Sequence, residues 1–462
     1  MMDSHHIKAL QKIAGGNNLL TSKEELYSYS YDATNTWQCV PDAVVLPENA
    51  GQISQIMAYA NEHRIPVTAR GGGTNVSGGS IPINGGIVLV TTRLDRILEI
   101  NKNNLHAIVE PGVILQDFNN ELAKQGLFFP PDPQSFLGCT MGGVVAENSG
   151  GPSCLKYGVT KQYVLGLEVV LADGRTMKLG GLTPKNRTGY ELTMLFTGSE
   201  GTLGIITKIN LRLLPAPPDS RTVVAVFDEV DVAGEAVSAI IASGILPAKV
   251  EFIDKYTFEK FRGLLPDDIL DTSYVILLIQ VDGLTATVEA ESKTVVELCE
   301  KTARVVTGPK HAAEAEGYWA ARRAHFSDIS SRSHTIVNED VCVPRDKIAE
   351  FIRRGQESAQ KYDVPLSFAG HVGDGNFHPV VLTDNRDKDH YGRALKCVDE
   401  VIATAIELGG VLSGEHGIGL EKQRFLKTAM DPLAIDIMKQ VKAILDPNNI
   451  LNPGKIWEAT DA

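Results

Sequence analysis

Glycine is the residue that most constrains this chain. The chain has 43 glycines, and they are densest in the stretches 71–79, 138–158, 179–204, 370–375 and 409–419. Glycine weakens helices and strands and reaches conformations closed to other residues. Each cluster therefore marks a loop that turns sharply or lets backbone approach something closely. The first cluster, RGGGTNVSGG from Arg70 to Gly79, has a defined approach. DAVVLP from Asp42 reads as a strand, and IPVTA, just ahead of Arg70, as another. Between them NAGQISQIMAYANEHR carries Ile53, Ile56, Met57 and Ala60 at helical spacing. Strand–helix–strand with short links is a βαβ unit, and its second strand feeds the glycine loop.

That loop fails both common nucleotide fingerprints. No Gly-Lys-Ser/Thr follows it, and Gly71-Gly72-Gly73 is followed by Val76 where GxGxxG needs glycine. It still offers a run of backbone N–H groups, with Thr74, Asn75, Ser77 and Ser80 among them. Such a run suits a diphosphate, or is simply a flexible turn. CTMGGVVAENSGG, from Cys139 to Gly151, and TGSEGTLGI, from Thr197 to Ile205, repeat the small, hydroxyl-bearing pattern. Three such loops in one domain fit a long ligand laid along backbone, and FAD has that extent.

At 462 residues the chain exceeds a single core, and two or three domains are expected. Prolines 215, 217 and 218 read as a linker. Beyond them RTVVAVFDEV and SYVILLIQVDG read as strands; VEAESKTVVELCEKT, EGYWAARRAHFSDI and DKIAEFIRRGQESAQKY read as helices. That mixture predicts an α+β domain whose antiparallel sheet is covered by helices. Residues 5–30 read as helical, and the last forty as mostly helical before the turn-rich ILDPNNILNPGKI. The expected boundaries are 1–36, 37–216, 217–420 and 421–462. A formal charge of −13 argues against a nucleic-acid groove and an anionic membrane surface. No secretory h-region and no spanning apolar run is evident. The six scattered cysteines form no CxxC pair, which fits reduced thiols in the cytoplasm and no iron–sulfur cluster of familiar spacing.

The fourth cluster, GHVGDGNFHPVV from Gly370 to Val381, sets two of only eleven histidines about a Gly-Asp-Gly-Asn core. Asp-Gly between extended segments signals a two-residue hairpin turn. With Asp374-Gly375 as the turn, His371 faces His378 on one side of the ribbon. Opposed residues have Cβ atoms roughly 5 Å apart, close enough for two imidazoles to chelate one cation. A hairpin whose histidines stack or face water is the other reading.

These motifs together resemble the FAD-linked oxidases of the vanillyl-alcohol-oxidase type. The nearer likeness is to the branch of glycolate oxidase catalytic subunits, D-lactate dehydrogenases and D-2-hydroxyglutarate dehydrogenases. The resemblance runs from about Asp42 to Lys455, through ARGGGTNVSGG, GGVVAENSGGPSCLKYGVT, LEVVLADG, FTGSEGTLGIITK, GHVGDGNFH, SGEHGIG and DPNNILNPGKI. It implies an α+β fold: a two-subdomain FAD-binding domain, an α+β cap domain with an antiparallel sheet, and a C-terminal helical segment returning to the FAD domain.

The resemblance places the pyrophosphate loop at Arg70, Gly71, Gly72, Gly73, Thr74, Asn75, Gly78 and Gly79. Some relatives attach FAD through a histidine where this chain has Thr74, so non-covalent FAD is expected. Further flavin contacts carry over to Pro131, Asp132, Thr140, Gly143, Ala146, Ser149, Gly150, Glu200, Gly201 and Ile206. Hydroxy-acid relatives imply a divalent metal (zinc, manganese or iron) on His371, His378 and Glu415, with His416 as catalytic base and Arg322 clamping the substrate carboxylate. Arg323 stands beside Arg322, and SDISSRSHTIVNEDV after it departs from the relatives' pattern.

The implied reaction is oxidation of a small 2-hydroxy acid, D-lactate first, to the 2-oxo acid. Glycolate and D-2-hydroxyglutarate are the alternatives. Histidine titrates near neutrality and suits a base, and a guanidinium fork suits a carboxylate. Electrons are then expected to leave to a partner, an electron-transferring flavoprotein or an iron–sulfur subunit. A non-catalytic flavin electron-relay subunit and a flavin-free metal hydrolase are the rival classes.

Overall fold

The computed structural model describes residues 2–34, 36–271 and 275–457. Of the strand expected over SYVILLIQVDG, Ser273 and Tyr274 lie outside the described residues. The chain divides into two compact units. One comprises 1–149, 159–216 and 415–462; the other comprises 150–158 and 217–414.

The first unit holds two larger sheets and one two-stranded ribbon. Strands β1 (Leu19–Leu20), β2 (Ala43–Val45), β3 (Val67–Arg70) and β4 (Ile87–Val90) lie in the order β1-β2-β4-β3. β2 and β3 both run parallel to β4. The helix Ala50–Glu62 makes the crossover and buries the four residues its spacing marked, Ile53, Ile56, Met57 and Ala60. Asn49 caps its start by accepting from Gln52 N–H at 3.0 Å. The second sheet has β5 (Ile97–Asn101), β6 (His106–Val109), β8 (Val164–Val170), β9 (Thr176–Gly180) and β10 (Ile205–Arg212), in the antiparallel order β5-β6-β10-β8-β9. Short β7 (Leu127–Phe128) pairs with β11 (Leu214–Pro215).

The C-terminal segment completes both cores of this unit. Helix Pro432–Leu445 lays Val441 and Leu445 on the core of the second sheet. Ile450 and Leu451 enter the core of the first sheet, where Leu451 bridges Val67. Buried Lys442 fixes this return by donating to the Thr202 carbonyl at 2.8 Å and the Leu451 carbonyl at 2.7 Å.

The second unit is built on one eight-stranded sheet. It comprises β12 (Asp219–Phe227), β13 (Lys249–Asp254), β14 (Val275–Gly283), β15 (Val305–Thr307), β16 (Thr335–Asn338), β17 (Val341–Cys342), β18 (Leu366–His371) and β19 (Asn376–Thr383). The order is β15-β12-β14-β13-β18-β19-β16, with β17 also on β19, and all its pairs are antiparallel. Val223–Phe227 and Val275–Ile279 are buried without alternation, as in strands covered on both faces. Helices Thr285–Cys299, Ile348–Tyr362 and Lys388–Glu407 lie against β12, β18 and β19 respectively. The segment 150–158 is pinned here: Lys156 pairs with Asp282, and Tyr157 Oη donates to Asp282 Oδ2 at 2.8 Å.

Two helical expectations need correction. Residues 5–30 are not one helix. Helix Ser4–Ala14 stops at Gly15 and Gly16, both at positive φ (74° and 40°), and β1 and helix Lys23–Tyr27 follow. Ser22 and Glu25 cap that second helix reciprocally, which gives it its own start. The stretch EGYWAARRAHFSDI breaks at Ala324 into helices Ala312–Arg323 and His325–Arg332. Among the described residues no helix is long and apolar enough to cross a membrane.

Candidate functional site

In the first unit, β3 delivers the chain into the loop Gly71–Gly79. A side chain at Gly71 would strike Thr140 Oγ1, and one at Gly73, where φ is +67°, would strike the Arg70 guanidinium. The side chains around the loop are used to hold it. Arg70 Nη1 donates to the Tyr31 carbonyl at 2.7 Å, and its guanidinium lies 5.6 Å from the Tyr29 ring centre. Asn75 donates to Asp32 Oδ2 at 2.8 Å and accepts from Ser80 Oγ at 2.9 Å. The backbone is left over. Among the described residues, none accepts from the N–H groups of Gly72 to Gly79, although Ser77, Gly78 and Gly79 are buried. Buried N–H groups without acceptors are rare, and a diphosphate supplies the missing acceptors. This part of the loop fits the pyrophosphate of a dinucleotide.

The other proposed flavin positions gather in the same unit, with one exception. Thr140 Oγ1 caps the short helix Met141–Ala146 by accepting from Gly143 N–H at 3.4 Å. The Ala146 carbonyl accepts from Glu200 N–H at 2.9 Å, and the Ser149 carbonyl accepts from Thr160 Oγ1 at 2.8 Å. Glu200 and Gly201 turn the chain with φ of 51° and 68°. Ile206 sits in β10 opposite Val169. Pro131 is buried and Asp132 half-buried on the loop after β7. Gly150 groups with the second unit. Position 74 offers a hydroxyl and no imidazole.

In the second unit the histidine hairpin forms with a register different from the expected one. His371 pairs with Asn376, and His378 with Ala369. The turn is the four-residue loop Val372–Gly375, closed by Asp374 N–H to the His371 carbonyl at 3.1 Å. Two interactions set this register. Asn376 Nδ2 donates to the Asp340 carboxylate at 2.5 Å and to the Val341 carbonyl at 3.1 Å, which draws Asn376 into the strand. Gly375, at φ +82°, lies so close to the Val343 carbonyl that any side chain would strike it. The shift is two residues along one strand, so both imidazoles keep the same face and meet diagonally. Their ring centres are 5.3 Å apart at 79°, and ligating atoms of the pair lie within 4.8 Å.

A buried carboxylate organises one of them. Glu251, fully inaccessible on β13, places Oε1 2.6 Å from His371 Nδ1 and Oε2 2.8 Å from Arg322 Nη2. Burial alone would raise its pKa, but the His371 imidazole and the Arg322 guanidinium hold it below the usual glutamate range. A carboxylate at Nδ1 requires the proton there and turns Nε2 into an acceptor, the arrangement that metal-binding histidines share. Asp340 stands near His378 at ion-pair range, beyond hydrogen-bond distance. It lies 3.9 Å from His378 Nδ1 and also accepts from Ser413 Oγ at 2.6 Å. The chain after Ser413 is equally confined, since a side chain on Gly414 would strike Asn376. Glu415 and His416 follow at once, and both belong to the first unit.

Arg322 is 2 % exposed, and its Nε has no hydrogen-bond acceptor among the described residues. Its ion pair with Glu251 satisfies distance and not hydrogen-bond angle, so guanidinium capacity remains for a carboxylate. Glu251, Asp340 and His325 went unnoticed in the sequence. Glu251 carried a usable signal, a carboxylate set between Val250 and Phe252 in a short stretch of strand-forming residues. His325 is 4 % exposed with Nδ1 on Thr257 Oγ1 at 2.5 Å. Burial, then the charges of Arg322 and His378, push its pKa well below the ordinary value and keep it neutral.

Comparison with known proteins gives the chain a family. Residues 41–180 match the FAD binding domain model, and residues 216–456 match the model of FAD linked oxidases, C-terminal domain. The glycolate oxidase subunit GlcD of Bacillus subtilis is 43 % identical over 454 residues, covering 98 % of this chain and 96 % of that protein. A D-lactate dehydrogenase of Archaeoglobus fulgidus is 38 % identical over 413 residues, covering 89 % and 90 %. A solved structure of p-cresol methylhydroxylase superposes with a TM-score of 0.81 over 99 % of this chain and 97 % of that one, at 19 % identity, a likeness of fold alone. With both halves matched to its models and relatives of this identity along the whole chain, the protein belongs to the FAD-linked oxidases and is an FAD-dependent oxidoreductase.

Proposed function

We propose that this oxidoreductase converts a small 2-hydroxy acid, D-lactate first, into the 2-oxo acid. The observation that supports it most is the chain Arg322–Glu251–His371, in which one buried carboxylate engages both a proposed substrate clamp and a proposed metal ligand. Arg322 orients the substrate carboxylate through donors that Glu251 does not use. His371, His378 and Glu415 hold a divalent cation, zinc, manganese or iron, whose charge would favour loss of the hydroxyl proton. His416 accepts that proton at a ring nitrogen. FAD, bound non-covalently along Gly71–Gly79 and the loops holding Thr140, Gly143, Ala146, Ser149, Gly150, Glu200, Gly201 and Ile206, supplies the hydride acceptor. Pro131 and Asp132 complete that contact set. Electrons then pass to a partner protein, an electron-transferring flavoprotein before an iron–sulfur subunit.

Glycolate is a second reading, favoured by the higher identity to the glycolate oxidase subunit. An anaerobic screen of D- and L-lactate, glycolate and D-2-hydroxyglutarate, read as bleaching of the flavin absorbance, separates the substrates. If none reduces the flavin, the dehydrogenase reading fails. His416→Ala is expected to abolish reduction while FAD stays bound, and an active variant would remove His416 from the mechanism.

A further inference from the structure

Glu200 has more contacts than a flavin-loop residue needs. Its own backbone is fixed on both sides: its N–H donates to the Ala146 carbonyl at 2.9 Å, and its carbonyl accepts from Asn452 Nδ2 at 2.8 Å. Its left-handed φ of 51° is a conformation that a non-glycine residue keeps only when its surroundings enforce it. Its side chain, buried with the residue at 7 % exposure, reaches the loop after His416. Oε1 accepts from Ile418 N–H at 2.9 Å and Oε2 from Gly419 N–H at 2.7 Å.

The loop has no slack around that grip. Gly417 lies at φ +82°, and a side chain there would come within 2.7 Å of Glu147 Oε2 and 3.0 Å of Glu200 Oε1. One residue beyond, Leu420 N–H donates to the Ser77 carbonyl at 2.8 Å. The loop is therefore held by a charged side chain on the Thr197–Ile205 loop and by backbone of the Gly71–Gly79 loop.

We infer that Glu200 is the positioning residue for Glu415 and His416: its carboxylate fixes the backbone two and three residues after His416 and so sets where ligand and base stand. The inference rests on the roles proposed above for those two residues. Two charge-assisted bonds to adjacent N–H groups specify a position more tightly than packing would. An amide cannot replace them, because one of its two heads is a donor that would face a backbone donor.

The test uses full-length protein loaded with FAD. Mn2+ binding is followed by loss of the free-ion paramagnetic resonance signal, and flavin reduction by rapid mixing with the best substrate. Glu200→Gln is expected to retain FAD at wild-type stoichiometry and lose about tenfold in Mn2+ affinity, the usual scale for a ligand-orienting group. The maximal rate of flavin reduction should fall with it more than the substrate concentration needed for half-saturation rises. Mn2+ affinity and reduction rate both within twofold of wild type would overturn the inference. Should Glu200→Gln lose FAD, Glu200→Asp takes its place, since it keeps the charge and withdraws it by one methylene. The same losses are expected there, and wild-type values overturn the inference. Failure of the unsubstituted protein to bind Mn2+ or another divalent ion would instead sink the metal reading. Glu200 is then judged on His416 alone: slowed reduction in the variant supports its role and an unchanged rate overturns it.

Discussion

At the scale of single residues, Glu251 decides most. Fully buried, it sets one carboxylate oxygen 2.6 Å from His371 Nδ1 and the other 2.8 Å from Arg322 Nη2. Glu251→Gln would leave a buried guanidinium facing a neutral amide, a loss of roughly 3–5 kcal/mol for a broken buried pair. Urea unfolding of the metal-free variant should show that loss, and an unchanged midpoint would mean that the pair contributes nothing net. The same variant should bind a divalent cation about 10- to 100-fold more weakly, because His371 loses the partner that fixes its tautomer. The sequence marked His371 and His378 but not this carboxylate. Histidines about an Asp-Gly turn stand out in a linear string, whereas Glu251 lies 120 positions from its partner and only strand pairing brings them together.

At the scale of elements, the hairpin β18–β19 carries the lesson about register. Turn chemistry alone favoured a two-residue turn; the structure has four, because Asn376 is claimed by Val341 on β17 and by Asp340 just before it. Tertiary contacts overrode the local signal, while the period of two kept both histidines on one face. Gly375→Ala should destabilise this hairpin by roughly 1–3 kcal/mol, since it forces a side chain into the Val343 carbonyl at φ +82°. A melting temperature equal to wild type would show that the loop relaxes freely.

The start of β18 is sensitive to pH through Asp254, at the end of β13, which accepts from Phe368 N–H at 2.6 Å and Ser367 Oγ at 3.0 Å. Burial pushes its pKa from 3.8 up to about 7. The folded chain then holds this proton until about pH 7, while the unfolded chain releases it near pH 4. Stability therefore falls as pH rises between those values, by on the order of a few kcal/mol, and the loss persists above pH 7. Asp254→Asn should flatten the dependence of unfolding free energy on pH from 5 to 8. The same slope in both proteins would exclude Asp254 as its source.

At the scale of the whole molecule, the two-unit division is what a reading of local patterns handles least well. The residues 150–158 lie inside a glycine-rich stretch of the flavin half, yet they cluster with the second unit through Lys156, Tyr157 and Asp282. Residues 415–462 return to the first unit, where Leu451 extends the first sheet beside Val67. FAD binding should stabilise the first unit by mass action, about 2.7 kcal/mol at a concentration one hundred times the dissociation constant. Thermal unfolding of the apoprotein with increasing FAD should shift upward accordingly. No shift would mean that FAD does not discriminate folded from unfolded protein.

What the sequence alone determined was the chemistry available. The βαβ unit and its glycine loop, the buried helix face at Ile53, Ile56, Met57 and Ala60, the antiparallel second domain and the motif order of an FAD-linked oxidase all rest on local spacing or on short motifs. Local spacing is legible because helix and strand periods repeat within a few residues. Tertiary structure alone decided the hairpin register, the carboxylate behind His371, the ion pair on Arg322 and the grip of Glu200 on the loop after His416. Each of these joins residues far apart in the chain. Buried charges accept only the partners that the fold delivers, and a linear sequence does not state which those are.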